Sequence, residues 1–350
     1  MAFVYKKLTE TDIVPASTNE VTTGLWTGDT GSLSTIYTSS VQVGTEFYYD
    51  LYNGNPNSAN STAEVQFSVA YGHVSGSGSP SLTTLNTSTM PTQVTYAQYR
   101  NYLLSPTSEL FTFGDGSTSE DIYVINIKRA RFRETLDPGN WQLGLSGSSG
   151  IITLVDDSNL TTAAVGNTTA KSVYNVKSGS LTSGVQTGSV NFGLVFPDLG
   201  LIVLKPSAVV TAVGFRTASN NVRTGSMYPF APFTGSVTAY QYQHEGLVRS
   251  ISSSMAAGSP FIARSAENIS STHFFIRLGN REFNFSNNST YYNETTGVIS
   301  QEAFRVKPTT YFTTVGLYNS ANELLAIGKT SKPIKKSVDS EVLLKIRLDF

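Results

Sequence analysis

The stretch Ile122-Tyr123-Val124-Ile125-Asn126-Ile127 decides the fold class. Only Asn126 interrupts an otherwise apolar run, so both faces of the extended chain are apolar and the segment reads as a central strand. Directly after it, Arg129, Arg131 and Arg133 recur at every second residue, with Lys128, Ala130 and Phe132 between them. On an extended chain that spacing puts the three guanidinium groups on one face. Asp137-Pro138-Gly139-Asn140 then has the composition of a type I or II turn, because Pro fixes φ at the second position and Gly accepts positive φ at the third. Trp141, Leu143 and Leu145 follow with period two. Ile122–Leu145 is therefore expected to form a hairpin anchored by a buried Trp141.

Outward from this stretch the same period recurs. Val65–Tyr71, Val190–Phe196, His273–Leu278 and Val342–Leu348 alternate apolar and polar side chains as half-buried strands do. Clusters such as Asn53-Gly54-Asn55-Pro56 and Gly76-Ser77-Gly78-Ser79-Pro80 separate them as turns. Residues 92–104 read as helix: Thr92 can cap a run carrying Val94, Ala97, Arg100 and Leu104, with Tyr96, Tyr99 and Leu103 beside them. Near the C-terminus, Thr313–Tyr318 and Leu324–Lys329 flank Asn319-Ser320-Ala321-Asn322, a hairpin with a four-residue loop. Pro333 is expected to end its second strand. After a Lys335-Lys336 turn, Val342, Leu344, Ile346, Leu348 and Phe350 share one face of a last strand.

These signals predict an all-β protein of mainly antiparallel sheets or β-sandwich elements, with one or two short helices. Composition divides it into residues 1–147, carrying the helix, a Ser/Thr/Gly-rich middle part over 148–260, and a C-terminal β part over 261–350. No repeat of solenoid or propeller period is present.

Of the 350 residues, 14% are charged, well below the usual fraction of about 25%. Ser, Thr, Asn and Gly fill the deficit, which favours strands and turns over exposed helix faces. A net charge of −1 offers no bulk attraction to nucleic acid or to a membrane surface. The absence of cysteine excludes disulfides, thiolate zinc sites and thiol nucleophiles. Phe192–Leu204 and Val209–Phe215 are broken by Pro197, Asp198 and Lys205, so neither supplies the roughly 20 apolar residues of a membrane span. The first residues lack the regions of a signal peptide, and the protein is expected to act where it is made or in a particle assembled there. Asn60, Asn159, Asn167 and Asn288 open glycosylation triplets that a chain so rich in Asn, Ser and Thr contains by chance.

Catalytic motifs fail on inspection. His73, His244 and His273 lie far apart, in or beside strand patterns, and read as structural residues. His244-Glu245 begins a metalloprotease motif, but Val248 stands where the second His is needed. Gly328-Lys329-Thr330 ends like a phosphate-binding loop, yet Glu323 replaces the required Gly. Asp156-Asp157-Ser158-Asn159 could offer oxygens to calcium but lacks the spacing of a recognisable site, and reads as a solvated turn. Paired carboxylates of a glycosidase depend on the fold, and nothing in the sequence points to a pair. No catalytic residue, cofactor-binding residue or metal ligand is expected, and no enzyme. The nearest approach to a site is the row Arg129, Arg131 and Arg133. It reads as a solvated strand end that blocks edge-to-edge pairing, or as a subunit interface that docks on carboxylates of a neighbour, with nucleic acid a third reading that neither the net charge nor an aromatic-interleaved basic surface supports.

At Ile122–Asn126, the arginine row, Leu136–Trp141 and the closing Thr313–Tyr318, Leu324–Lys329, Lys332-Pro333-Ile334 and Lys345–Phe350 strings, the sequence resembles virion structural proteins of contractile-tailed bacteriophages, notably marine and cyanobacterial myoviruses. The matching stretches cover about a third of the chain. The resemblance implies a particle component of the baseplate, or of the tail or neck, made in the host cytoplasm and assembled through contacts with other tail proteins and copies of itself. It implies no catalytic residue and no small-molecule substrate. The competing reading is a receptor-binding or fibre-type module for host cell-surface glycans, suggested by Tyr291-Tyr292 and the Thr/Ser/Asn-rich surface.

Overall fold

A computed structural model describes residues 5–16, 19–38, 48–76, 91–160, 172–214 and 243–349. The chain divides into two compact units: a central unit, Val21–Glu267, and a split unit made of Met1–Glu20 and Asn268–Phe350. The composition break at 147 is not a boundary here. Gly147 pairs with Gly150 at the tip of a hairpin, so the Gly/Ser cluster is a turn and not a linker. The break at 260 falls near the observed return to the split unit.

The central unit is built on a nine-stranded antiparallel sheet. Its main strands are β1 (Tyr48–Tyr52), β2 (Val65–His73), β3 (Asp121–Ile127), β4 (Leu143–Gly147), β5 (Gly150–Asp156), β6 (Tyr174–Ser180), β7 (Gly193–Phe196) and β8 (Leu201–Leu204). They are ordered β4-β5-β6-β7-β8-β3-β2-β1, with the two-residue strand Gly184–Val185 beside β6. β3 is thus central, as its apolar run requires, pairing with β2 through Ser68↔Asn126 and with β8 through Val203↔Val124. The expected hairpin between β3 and the Trp141 strand does not form. Instead residues 128–142 carry the chain from the middle of the sheet to its far edge, and β4 to β8 then pair each with the next in chain order until β8 closes on β3. Local pattern cannot reveal this, because a strand's apolar period names its buried faces and not its partner.

Alternation sends the side chains to two cores. On one face Phe67, Val69, Tyr123, Ile125, Ile127, Leu143, Leu145 and Ile202 join Trp26, Trp141 and Phe261. On the other, Ile122, Val124, Phe196 and Val203 pack with Tyr96, Leu103, Phe111 and Phe113. Helix α1 (Pro91–Leu103) covers this second face. It sits so close to β2 that a Cβ at Gly72 would meet the Tyr96 backbone nitrogen at 2.8 Å. Thr92 is not an external cap but a buried residue of the first turn.

Two further helices of the central unit lay unnoticed in the sequence. α2 (Pro206–Val213) starts with Pro at its first position and ends on Gly214 at φ 65°, the usual pairing of start and stop signals. α3 (Gln243–Ala256) is buried along nearly its whole length and lays Leu247, Val248, Ile251 and Met255 into the first core. It holds an enclosed ion pair, with Arg249 Nη2 2.7 Å from Glu245 Oε1.

In the split unit, the short strand Ile13–Pro15, β9 (Ser271–Leu278) and β12 (Val342–Asp349) form an antiparallel sheet with β9 in the middle. A long hairpin, β10 (Thr309–Tyr318) and β11 (Leu324–Ser337), makes a separate two-stranded sheet. The expected hairpin is present, but β11 does not stop at Pro333. Register shifts between Phe312 and Thr314, so residues 330–333 bulge opposite Thr313 and Pro333 has no ladder position to fill. Pairing resumes at Phe312↔Ile334, and Lys335-Lys336 belongs to the strand. Alternation along β12 is as expected: Val342, Leu344, Ile346 and Leu348 turn inward but are only half-buried, while Phe350 lies outside the described residues. The short helix Glu302–Val306 completes four α-helices among the described residues, against one or two expected within the same all-β class.

Candidate functional site

Arg129, Arg131 and Arg133 do not form a row. β3 ends at Ile127 and the chain turns at once, with Arg131 N bonded to Lys128 O at 2.8 Å. Each guanidinium takes a different environment. Arg129 donates to the Glu134 carbonyl at 3.1 Å and stacks over the Phe132 ring, 4.6 Å from its centroid. Arg131 turns inward to Thr27 Oγ1 at 2.6 Å and Glu64 Oε2 at 2.9 Å. Arg133 reaches Glu267 Oε2 at 3.0 Å on the surface, and that carboxylate raises its pKa further. The sequence spacing was correct but its premise of extended backbone was not, because Gly200 and Phe132 fold the segment back: a Cβ on Gly200, at φ 66°, would lie 2.3 Å from the Phe132 ring.

Arg129 nevertheless borders a cleft. A space of about 630 Å³ opens on the second face of the sheet, between the C-terminal part of α1 and the turns after β3 and β7. Its floor is a polar row running across three adjacent strands, since Asp50 pairs with Ser68 and Ser68 pairs with Asn126. Ser68 Oγ donates to Asp50 Oδ1 at 2.5 Å. Asn126 is also hydrogen-bonded to the phenol of Tyr99, whose pKa is raised by burial against the opposing effect of that bond. The rim carries Tyr102, 59% exposed, with Lys128, Arg129 and Asp198. Sequence reading missed Asp50, Ser68 and Tyr102. The available signal was Asn126 itself, the one residue that interrupts the apolar run Ile122–Ile127.

The other candidate groups are structural. Asp156 accepts from Gly139 N at 2.9 Å and from Ser158 N at 3.0 Å, and Asp157 accepts twice from Asn175 at 2.8 Å. The two carboxylates are therefore buried and hydrogen-bonded, not solvated, while Asn159 is exposed. Asp137 lies beside it, and burial pushes its carboxyl pKa up, with nearby Asp156 adding to the effect against an opposing hydrogen bond from Asn140. His73 ends β2 and His273 lies in β9, but His244 is in α3 and not beside a strand, with its ring 5.2 Å from that of Tyr49. Gly328 pairs with Val315 inside β11, so no phosphate loop exists there. Asn167 lies outside the described residues. Among the described residues no group of three or more His, Asp or Glu is placed to hold a metal ion, and no helix is long and apolar enough to cross a membrane. No family model, curated protein or solved structure matches the chain.

Proposed function

We propose that this chain is a structural, non-enzymatic component of a contractile bacteriophage particle, a baseplate or other tail or neck protein held in place by subunit contacts. The observation that carries the reading is the apolar surface of the split unit. Tyr311, Leu325, Ile327 and Leu343 are each 56–67% exposed there. A groove of about 940 Å³, bordered by Tyr5, Phe274, Phe312 and Leu344, runs through the same unit. Two-stranded hairpins are marginal alone in water, and contiguous exposed apolar surface marks an interaction site. The resemblance to virion proteins falls on the same hairpin. Symmetric copies of one chain are the commonest partners for such a surface. Arg129 and Arg133, both exposed, retain donors that a neighbour's carboxylates could engage.

The test pairs a density map of purified particles with a surface variant. The map is expected to place this chain in the tail or neck, and Leu325→Asp with Ile327→Asp is expected to yield folded protein missing from particles. Normal incorporation of that variant would count against the reading.

A further inference from the structure

We infer that the cleft on the second face of the central sheet binds a neutral saccharide of one or two rings. This goes beyond a role in assembly and, Arg129 apart, rests on other residues. A central strand buried on both sides has no packing reason to expose a polar residue. Within Ile122–Ile127, β3 does so only at Asn126, while Ile122 and Val124 on the same face are fully buried. The register extends that exception sideways, so that a carboxylate, a hydroxyl and an amide stand at the strand spacing of about 4.8 Å.

The charges fix the ligand class. Asp50 and Asp198 balance Lys128 and Arg129, so the lining has no net charge to favour a phosphate or a basic peptide. What it offers is acceptors and donors side by side, and a polyol supplies both from every hydroxyl. Asp50 Oδ1 is engaged by Ser68, and Oδ2 has no partner among the described residues. Arg129 is held by Phe132 and Glu134 and needs no rearrangement to donate. Tyr102 presents an exposed ring at the rim, a surface on which the C–H face of a pyranose can lie while its hydroxyls reach the floor. The volume, about 630 Å³, lies within the range of small-ligand sites, about 300–1,000 Å³.

The full-length protein should be titrated with D-glucose, D-galactose, N-acetyl-D-glucosamine, maltose and lactose, following saturation-transfer NMR and heat. Inorganic phosphate and triglycine serve as the competing chemistries. Saturable binding of at least one sugar is expected, weakened at least about tenfold, or 1.4 kcal/mol, by Asp50→Ala and by Tyr102→Ala. Both variants should keep the parent melting temperature, since Tyr102 is exposed and Asp50 lies at the sheet edge. Asn126→Leu, which removes the central amide without opening a cavity, is expected to abolish binding. The inference is overturned if no sugar binds, if binding survives all three substitutions, or if phosphate or triglycine binds in preference.

Discussion

Lys336 Nζ donates to Asn284 Oδ1 at 2.9 Å from a side chain with no solvent exposure. Two carbonyls, Ser337 O at 3.0 Å and Asn280 O at 3.2 Å, take further hydrogen bonds from the same ammonium. The lysine thus ties the end of β11 to the loop after β9. Lys336→Met keeps the length of the side chain but leaves Asn284 Oδ1 without its donor, while Asn280 O still accepts from Asn284 Nδ2 and Ser337 O from Ser340, a loss of about 1–3 kcal/mol for the one group left unpaired. A clear fall in melting temperature is expected, and an unchanged value would mean that water replaces the ammonium.

Arg131 is expected to stand apart from its two neighbours. Arg131→Met loses the Thr27 bond and the Glu64 pair, costing about 1–2 kcal/mol. Arg129→Met and Arg133→Met should leave thermal stability unchanged, because both side chains are exposed. Chemical denaturation of the three single variants separates them. Arg131→Glu should be the most damaging, as it sets a carboxylate beside Glu64.

Truncation after Ser340 removes β12 and its eight pairings with β9, from Ser271↔Asp349 to Leu278↔Val342. Four half-buried side chains contribute about half the full burial value each, ~1 kcal/mol apiece and about 4 kcal/mol together. That approaches the lower end of a domain's margin of about 5 kcal/mol. Limited proteolysis should therefore cut the truncated protein within residues 271–337 at a protease dose that leaves the full chain intact.

Asp137 supplies a pH dependence of definite sign. Its folded pKa is raised by burial, so over the window from the ordinary aspartate value of about 3.9 up to the raised value the native state holds the proton more tightly. Stability from this group is greatest below that window and is lost as pH rises through it. Asp137→Asn, which keeps an oxygen for Asn140, should raise the melting temperature at pH 7, and the gain should vanish near pH 4. A gain that is constant across pH would show that the charge is not the cause.

How much of this was legible depended on the range of the interaction involved. β3, β9, β12 and the β10–β11 hairpin announce themselves by period and by turn chemistry within about twenty residues. Their partners do not, and the pairing of β3 with β8, 75 residues away at Asn126↔Leu201, is written nowhere locally. α3 was legible in principle, since Leu247, Ile251 and Met255 recur at helical spacing. Its four serines masked the pattern, because serine is no strong helix former. The cleft was hidden for the first reason: Asp50, Ser68 and Asn126 become neighbours only through sheet register. The arginine spacing misled for the opposite reason, since alternation was read as extension where the chain turns.

The split unit has a consequence for how the protein is made. Ile13–Pro15 emerges from the ribosome early, but its partner strand, Ser271–Leu278, is translated roughly 250 residues later. At the usual synthesis rate of about 5–20 residues per second, that strand waits roughly 12–50 s. The nine-stranded sheet of the central unit has all its strands by Leu204, and α3 and Phe261 of its first core follow before Ser271, so this unit is free to fold on the nascent chain first. The split unit is then necessarily the last to close, and its apolar hairpin is the last surface left exposed to neighbouring chains.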